Sequence, residues 1–191
     1  MMARAGLTAD RVTEAAGELA DEAGFDNLTV SALARRFGVA DASLYSHVRN
    51  LQDLRVRVAL RAARIQADAL TAAVAGKAGK DALAAFAAAY RDFALAHPGL
   101  YEATQLRLDP EIVAACADVQ RIFTTTNAVV AAYGLPEPAH TDAIRLLRST
   151  FHGFTNLEAR GGFQASRDVR QSWDAIIDAL DSALRHWQVS P

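Results

Sequence analysis

Apolar residues recur along this chain at spacings of three and four, and glycine or proline interrupts them at intervals. In the first block Val12, Ala16, Leu19 and Ala23 fall on one stripe, the signature of a helix with one buried face. Thr8 stands where a cap belongs and Gly24 where a helix stops, so a helix is predicted over 8–23. Thr29 caps a second, short helix that ends near Phe37, with Gly38 after it. A third spans 41–47. Asn50, with Asp53 three positions on, opens a fourth in the manner of a capping box. It turns Leu51, Leu54, Val58, Ile65 and Leu70 inward and ends before Gly76 and Gly79.

The block 81–96 sets Leu83, Phe86, Tyr90 and Phe93 on one face and stops at Pro98, because the residue before proline avoids the α region. A short helix over 98–105 follows. Asp109-Pro110-Glu111 combines a capping acid, proline at the first position and a first-turn acid. It predicts one helix to about 133, closed by Gly134. Another spans 138–160 and breaks at Gly161-Gly162. The last, 168–187, has the cleanest stripe: Val169, Trp173, Ile176, Ile177, Leu180, Leu184 and Trp187. No segment alternates with period two, so no strand is predicted. The expected fold is all-α, with about nine helices.

Composition agrees. Alanine is the best helix former, and it supplies 42 of the 191 residues. At 51% hydrophobic and 22% charged, the chain is neither disordered nor fibrous. Cys116 is the only cysteine, so no intrachain disulfide can form and a reducing compartment is expected. Residues 1–6 lack the apolar core of a signal peptide. No uncharged apolar run approaches membrane-spanning length. The chain is read as cytoplasmic, with no membrane partner.

A net charge of −2 argues against a chain that binds nucleic acid over its whole surface. The charge is not spread evenly, however. Residues 7–32 hold one arginine against six acids; residues 33–67 hold seven arginines against two aspartates. The basic run coincides with the stretch of most constrained pattern, 29–53. There Ala34 is small enough for two helices to cross closely and Gly38 supplies the turn. Leu33, Phe37, Val39 and Leu44 share a core. This is the spacing of a helix-turn-helix, whose second helix faces the major groove. A plain helical hairpin has the same spacing; the local positive charge favours the DNA-binding reading, since phosphate neutralisation supplies most affinity.

The first 55 residues or so resemble the DNA-binding domain of TetR/AcrR-family transcriptional regulators. The match runs from Leu7-Thr8 to Gly24-Phe25, then Leu28-Thr29-Val30, Leu33-Ala34 and Phe37-Gly38-Val39. It continues through Ser43-Leu44-Tyr45-Ser46-His47-Val48 and Asn50 to Leu54. The remainder more loosely resembles the WHG-type C-terminal ligand domain of that family. It does so through His97-Pro98-Gly99-Leu100-Tyr101, Phe151-His152-Gly153-Phe154, and Leu157-Glu158 to Phe163.

The resemblance implies a helix-turn-helix domain over 1–50 and a ligand-binding and dimerisation domain over 51–191. It implies a ligand-responsive regulator, most often a repressor, acting as a homodimer on palindromic double-stranded DNA. Thr29, Tyr45 and His47 then contact the DNA backbone, and Asp41, Ala42, Ser43 and Ser46 occupy base-reading positions. Arg36 and Arg49 complete the DNA-contacting set. Asp41 has two readings, an acceptor for cytosine N4 or a cap of the third helix in place of Ala40. Leu51 stands where the family often has a phosphate-binding lysine; Arg49, Arg55 or an arm through Arg4 are the substitutes.

For a small apolar or amphipathic effector, the expected lining is Phe86, Tyr90, Phe93, Tyr101, Gln105 and Phe123, with Thr126, Asn127, Phe151, His152 and Thr155. Each of these aromatics could equally be core. The dimer interface is expected on the last two helices, from Phe154, Glu158, Trp173, Ile176, Ile177, Leu180, Leu184 and Trp187. The five histidines and one cysteine show no metal spacing, nucleophile elbow or phosphate loop. No enzyme activity, metal or cofactor is expected.

Overall fold

The computed structural model describes residues 7–188. Among them ten α-helices and one 3₁₀ turn are formed, and no strand. The helices are α1 (Ala9–Ala23), α2 (Val30–Phe37), α3 (Asp41–Leu44), α4 (Leu51–Val74) and α5 (Gly79–Ala96). Then come α6 (Pro98–Ala103), α7 (Pro110–Ala115), α8 (Ala117–Ala131), α9 (Ala139–Ala159) and α10 (Val169–Arg185).

The caps hold the helix starts where the local chemistry puts them. Thr8 accepts from the Arg11 amide at 3.2 Å, Thr29 from Ala32 at 3.1 Å and Asp168 from Gln171 at 2.9 Å. Each such bond satisfies a first-turn N–H that has no partner in its own helix and is worth about 1 kcal/mol. At α4 the box is reciprocal. Asn50 accepts from the Asp53 amide at 2.8 Å, and the Asp53 carboxylate accepts from the Arg49 amide at 3.0 Å. Burial raises the Asp53 pKa, but the Arg49 amide and the Arg57 guanidinium outweigh it and hold the carboxyl below its usual range.

Two expectations fail, and the first is the third helix, which ends at Leu44 rather than near His47. The second is the single helix over 109–133, which is two, because Cys116 adopts an extended backbone (φ −86°, ψ 106°) between α7 and α8. Alanines on both sides favour helix, so nothing local marks this break.

The chain forms two compact units that are not contiguous in sequence. The first comprises Met1–Ile65 with His97–Val119, the second Gln66–Ala96 with Gln120–Pro191. In the first, Val12, Ala16, Ala20, Leu33, Leu44, Leu54 and Val58 are buried. Helix α6 belongs here because α1 holds it. The backbone of Gly99 lies directly against the Ala20 carbonyl. The Asp21 carboxylate accepts from the Leu100 amide at 2.8 Å and sits 2.9 Å from His97 Nδ1. The Phe25 amide donates to Glu102 at 3.2 Å. An acid from one helix thus caps another and opposes its positive N-terminal dipole.

The second unit is built from α5, α9 and α10, with α8 alongside. Its core joins Leu83, Phe86, Leu147, Phe151, Trp173, Ile177 and Leu184. The Phe151 ring lies between those of Tyr90 (5.7 Å) and Trp173 (5.5 Å), and Trp173 also meets Phe154 at 4.8 Å. Two polar ties cross the bundle. Arg91 donates to both carboxylate oxygens of Glu158, from Nε at 2.7 Å and from Nη2. The buried Asp181 carboxylate accepts from Tyr133 Oη at 2.7 Å and Arg185 Nε at 2.9 Å. Burial, then the Asp181 carboxylate, raises the Tyr133 phenol pKa, so it stays protonated as the donor. No helix of the described residues is long and apolar enough to cross a membrane.

Candidate nucleic-acid interface

The turn between α2 and α3 is closed by Gly38 in the left-handed region (φ 65°, ψ 35°). Its amide donates to the Arg35 carbonyl at 3.1 Å and the Val39 amide to Ala34 at 3.0 Å. This Schellman pair lets the chain reverse at once into α3, and glycine is the residue that adopts it without strain. Leu33, Ala34, Leu44 and Val48 are buried beneath the turn. Helix α3 is a single turn, extended by the Val48 amide donating to Leu44 at 3.0 Å.

Burying Leu44 and Val48 directs the other face outward. Asp41, Ala42, Ser43, Tyr45 and Ser46 are exposed, Tyr45 to 54%, and His47 is half-buried. Tyr45 thereby presents both a ring face and a phenol hydroxyl to solvent on the same side as Ser43 and Ser46. Ser46 donates its hydroxyl to the Ser43 carbonyl at 2.8 Å and keeps lone pairs free. Thr29 uses a lone pair for its cap, so its hydroxyl hydrogen remains available beside the unpaired amides of the α2 N-terminus. That arrangement suits a phosphate oxygen.

Asp41 does not make the expected cap. Ala40 holds the N-cap position with no side-chain bond, and Asp41 is the first residue of α3. Its carboxylate instead accepts the hydroxyl of Ser31 on α2. The acid therefore ties the reading helix to the helix before it. A serine two positions after the Thr29 cap was the only available signal, and it has many possible partners.

The charge map also changes. Arg36 donates to Glu22 at 2.7 Å and Glu18 at 2.8 Å, both from α1. Arg61 pairs with Glu14 at 2.7 Å and Arg55 with Asp26 at 3.0 Å. Arg57 pairs with Asp53 at 3.1 Å. Four of the seven arginines of 33–67 are thus engaged by acids, three of them by the acidic first segment. The opposed regions do not present a bare basic face; they largely bind each other. Arg35, Arg49 and Arg64 are exposed, with no ion pair among the described residues. Of the substitutes for the missing lysine, Arg55 is paired, Arg49 is open, and Arg4 lies outside the described residues.

Residues 12–58 match the family model described as "Bacterial regulatory proteins, tetR family", and residues 83–180 match "Tetracyclin repressor-like, C-terminal domain". A transcriptional regulator of Bacillus subtilis, the uncharacterized HTH-type protein YobS, is 33% identical over 184 residues, 96% of each chain. The chain belongs to the TetR family. The uncharacterized HTH-type regulator Rv0681 of Mycobacterium tuberculosis is 37% identical to this TetR-family chain over 159 residues, 81% of it and 72% of the relative. A Rhodococcus sp. RHA1 protein, described as of unknown function, has the same fold. Its TM-score is 0.78 at 25% identity, covering 97% of this chain and all of that one. The molecule is thus a TetR-family transcriptional regulator with a helix-turn-helix and a C-terminal helical domain, and its curated relatives are regulators rather than enzymes.

The residues expected at an effector site of this TetR-family chain are distributed over both units. Tyr101 and Gln105 fall in the first unit. Phe86, Phe93, Phe151 and Thr155 are buried, and Tyr90 is half-buried against Phe151. The hydroxyls of Thr126 and Thr155 donate to carbonyls of their own helices at 2.8 Å. Asn127 does the same to Phe123 at 2.8 Å and faces His140 at 3.1 Å. Phe123 is 47% exposed and His152 half-buried. A cleft of about 270 Å³ opens elsewhere, between α5 and α10.

The residues expected at a dimer interface lie as follows in the single chain. Phe154, Trp173, Ile177, Leu180 and Leu184 are buried within the single chain, Leu184 completely. Ile176 and Trp187 pack against the same core, and Glu158 is taken by Arg91. The α10 stripe is rich because this helix closes its own bundle against α5 and α9. Outward, α9 and α10 carry charged residues such as Arg145, Arg148 and Asp174, together with Leu157, 49% exposed, and a row of alanines, Ala175, Ala179 and Ala183.

Proposed function

We propose that this chain is a homodimeric repressor that holds a palindromic operator and releases it when a small apolar or amphipathic molecule binds the C-terminal domain. The observation that supports it best is the outward face of α3. Tyr45, Ser43 and Ser46 stand open beside the Thr29-capped start of α2, over a turn built to present them. Two such heads on a two-fold dimer reach successive major grooves about 34–36 Å apart. Close helix approach suits the small residues on the outer sides of α9 and α10, with Leu157 as the apolar addition. Release follows if the effector binds better to a form whose heads are mis-spaced.

The test is binding to the intergenic DNA next to its own gene across a salt series. Affinity should fall steeply with salt, and Tyr45→Ala should weaken it while thermal stability holds. Equal affinity for Tyr45→Ala at matched salt, or a sedimentation monomer at micromolar concentration, would overturn the scheme.

A further inference from the structure

The cleft between α5 and α10 belongs to no role yet described. Its walls are Ala84 and Ala88 of α5, and its floor is Trp173 and Ile177. The two alanines make the recess: a longer side chain at either position would fill it. Around this apolar interior stand charged groups from both helices, Arg91 and Asp92 from α5 and Arg170, Asp174 and Asp178 from α10.

These charges are not equivalent. Arg91 is committed to Glu158, and Asp178 to Lys80 at 2.8 Å. Asp92 and Asp174 have no ion pair among the described residues, and Arg170 is exposed at the start of α10. The carboxylates of Asp92 and Asp174 add to the negative field that, with the Glu158 hydrogen bond, raises the Arg91 pKa. With Arg91 offset by Glu158 and Asp178 by Lys80, the remaining lining charges are Asp92, Asp174 and Arg170, so a second positive group in the cleft meets one net negative charge. At about 270 Å³ the space lies just below the range for drug-sized ligands.

We infer that this cleft binds a small organic ammonium ion, its charge between Asp92 and Asp174 and its apolar body on Ala84, Ala88 and Trp173. The site is independent of the DNA-binding reading and is tested without DNA.

The chain has two tryptophans, so Trp187→Phe leaves Trp173 as the sole indole reporter. In the full-length protein carrying that change, phenethylammonium should alter the fluorescence saturably. Phenethyl alcohol and phenylacetate, which share the ring but lack the cation, should not. The double variant Asp92→Asn/Asp174→Asn should weaken binding about tenfold or more, as expected for loss of charge-assisted hydrogen bonds. Ala88→Phe should abolish binding with both carboxylates in place. Ala88, Asp92 and Asp174 are exposed, so melting curves should stay close to that of the Trp187→Phe protein. Equal binding of the alcohol or the acid, unchanged affinity in the Asn variant, or no saturable response to the ammonium overturns the inference.

Discussion

Gly99→Ala sets helix propensity against packing. On propensity alone the change is favourable, by up to about 1 kcal/mol for a helical glycine. The structure reverses the sign. A Cβ at Gly99 would stand 2.5 Å from the Asp21 amide nitrogen, and closer still to the Ala20 carbonyl. These are backbone atoms of a neighbouring helix and cannot rotate away as a side chain would. Overpacking of this kind costs about 1–3 kcal/mol. If α6 lifts to relieve it, the Leu100 amide loses its bond to the Asp21 carboxylate, a further 1.5–3 kcal/mol or about that. The net expectation is a loss of about 2–4 kcal/mol, a large share of the 5–15 kcal/mol or so typical of a domain. Urea titration followed by circular dichroism measures it directly. A midpoint equal to or above the parent's would refute the close approach of α1 and α6.

Leu184→Ala should cost about 2–5 kcal/mol, with a loss independent of protein concentration, since the side chain is buried in its own chain; a concentration-dependent loss would return it to an interface. Gly153→Ala on α9 meets nothing within 4 Å and should stabilise the monomer by about 0.5–1 kcal/mol, yet weaken association if the small-residue face is the dimer contact. Both readouts come from one sedimentation and melting series. Ser31→Ala and Asp41→Ala should shift operator affinity alike, and their double variant should be no worse than either; additive losses would mean that Asp41 contacts DNA on its own. Asp181 is held below its usual pKa by the Arg185 hydrogen bond, with Tyr133 adding to it against burial. Its stabilising contribution is therefore complete above about pH 4 and lost as pH falls through the folded value. The stability gap between the parent and Asp181→Asn should be widest at neutral pH and close in acid; a gap that widens in acid contradicts the assignment.

Local chemistry made the secondary structure legible. Thr8, Thr29, Asn50, Asp168 and Gly38 each act within a few residues of themselves, so their signals survive without the fold. What escaped depends on partners distant in sequence. The break at Cys116 has no glycine or proline to announce it. The arginines of 33–67 read as a DNA-facing charge because the acids that engage Arg36, Arg55 and Arg61 lie on α1 and the turn after it, up to 47 residues away. The α10 stripe suggested more apolar surface than one helix needs, but amphipathicity says that a face is buried and not what buries it. The α5–α10 cleft arises from alanines facing a neighbouring helix, and alanine is too common here to mark anything. Helix α3 was legible as a reading helix through the spacing of its buried residues, while the Ser31–Asp41 tie that positions it was not.

The clasp between α1 and α6 bears on how such proteins can be recombined. The head does not end where its helix-turn-helix ends. Asp21, Ala20 and Phe25 are completed by Leu100, Gly99 and Glu102, which the chain supplies only after leaving for the second unit and returning. A chimera cut after the third or fourth helix would carry a head with an unmatched seam. Transplanting the specificity of this protein therefore requires moving two segments together, 7–65 and 97–119, or re-matching Gly99 and Asp21 across the join.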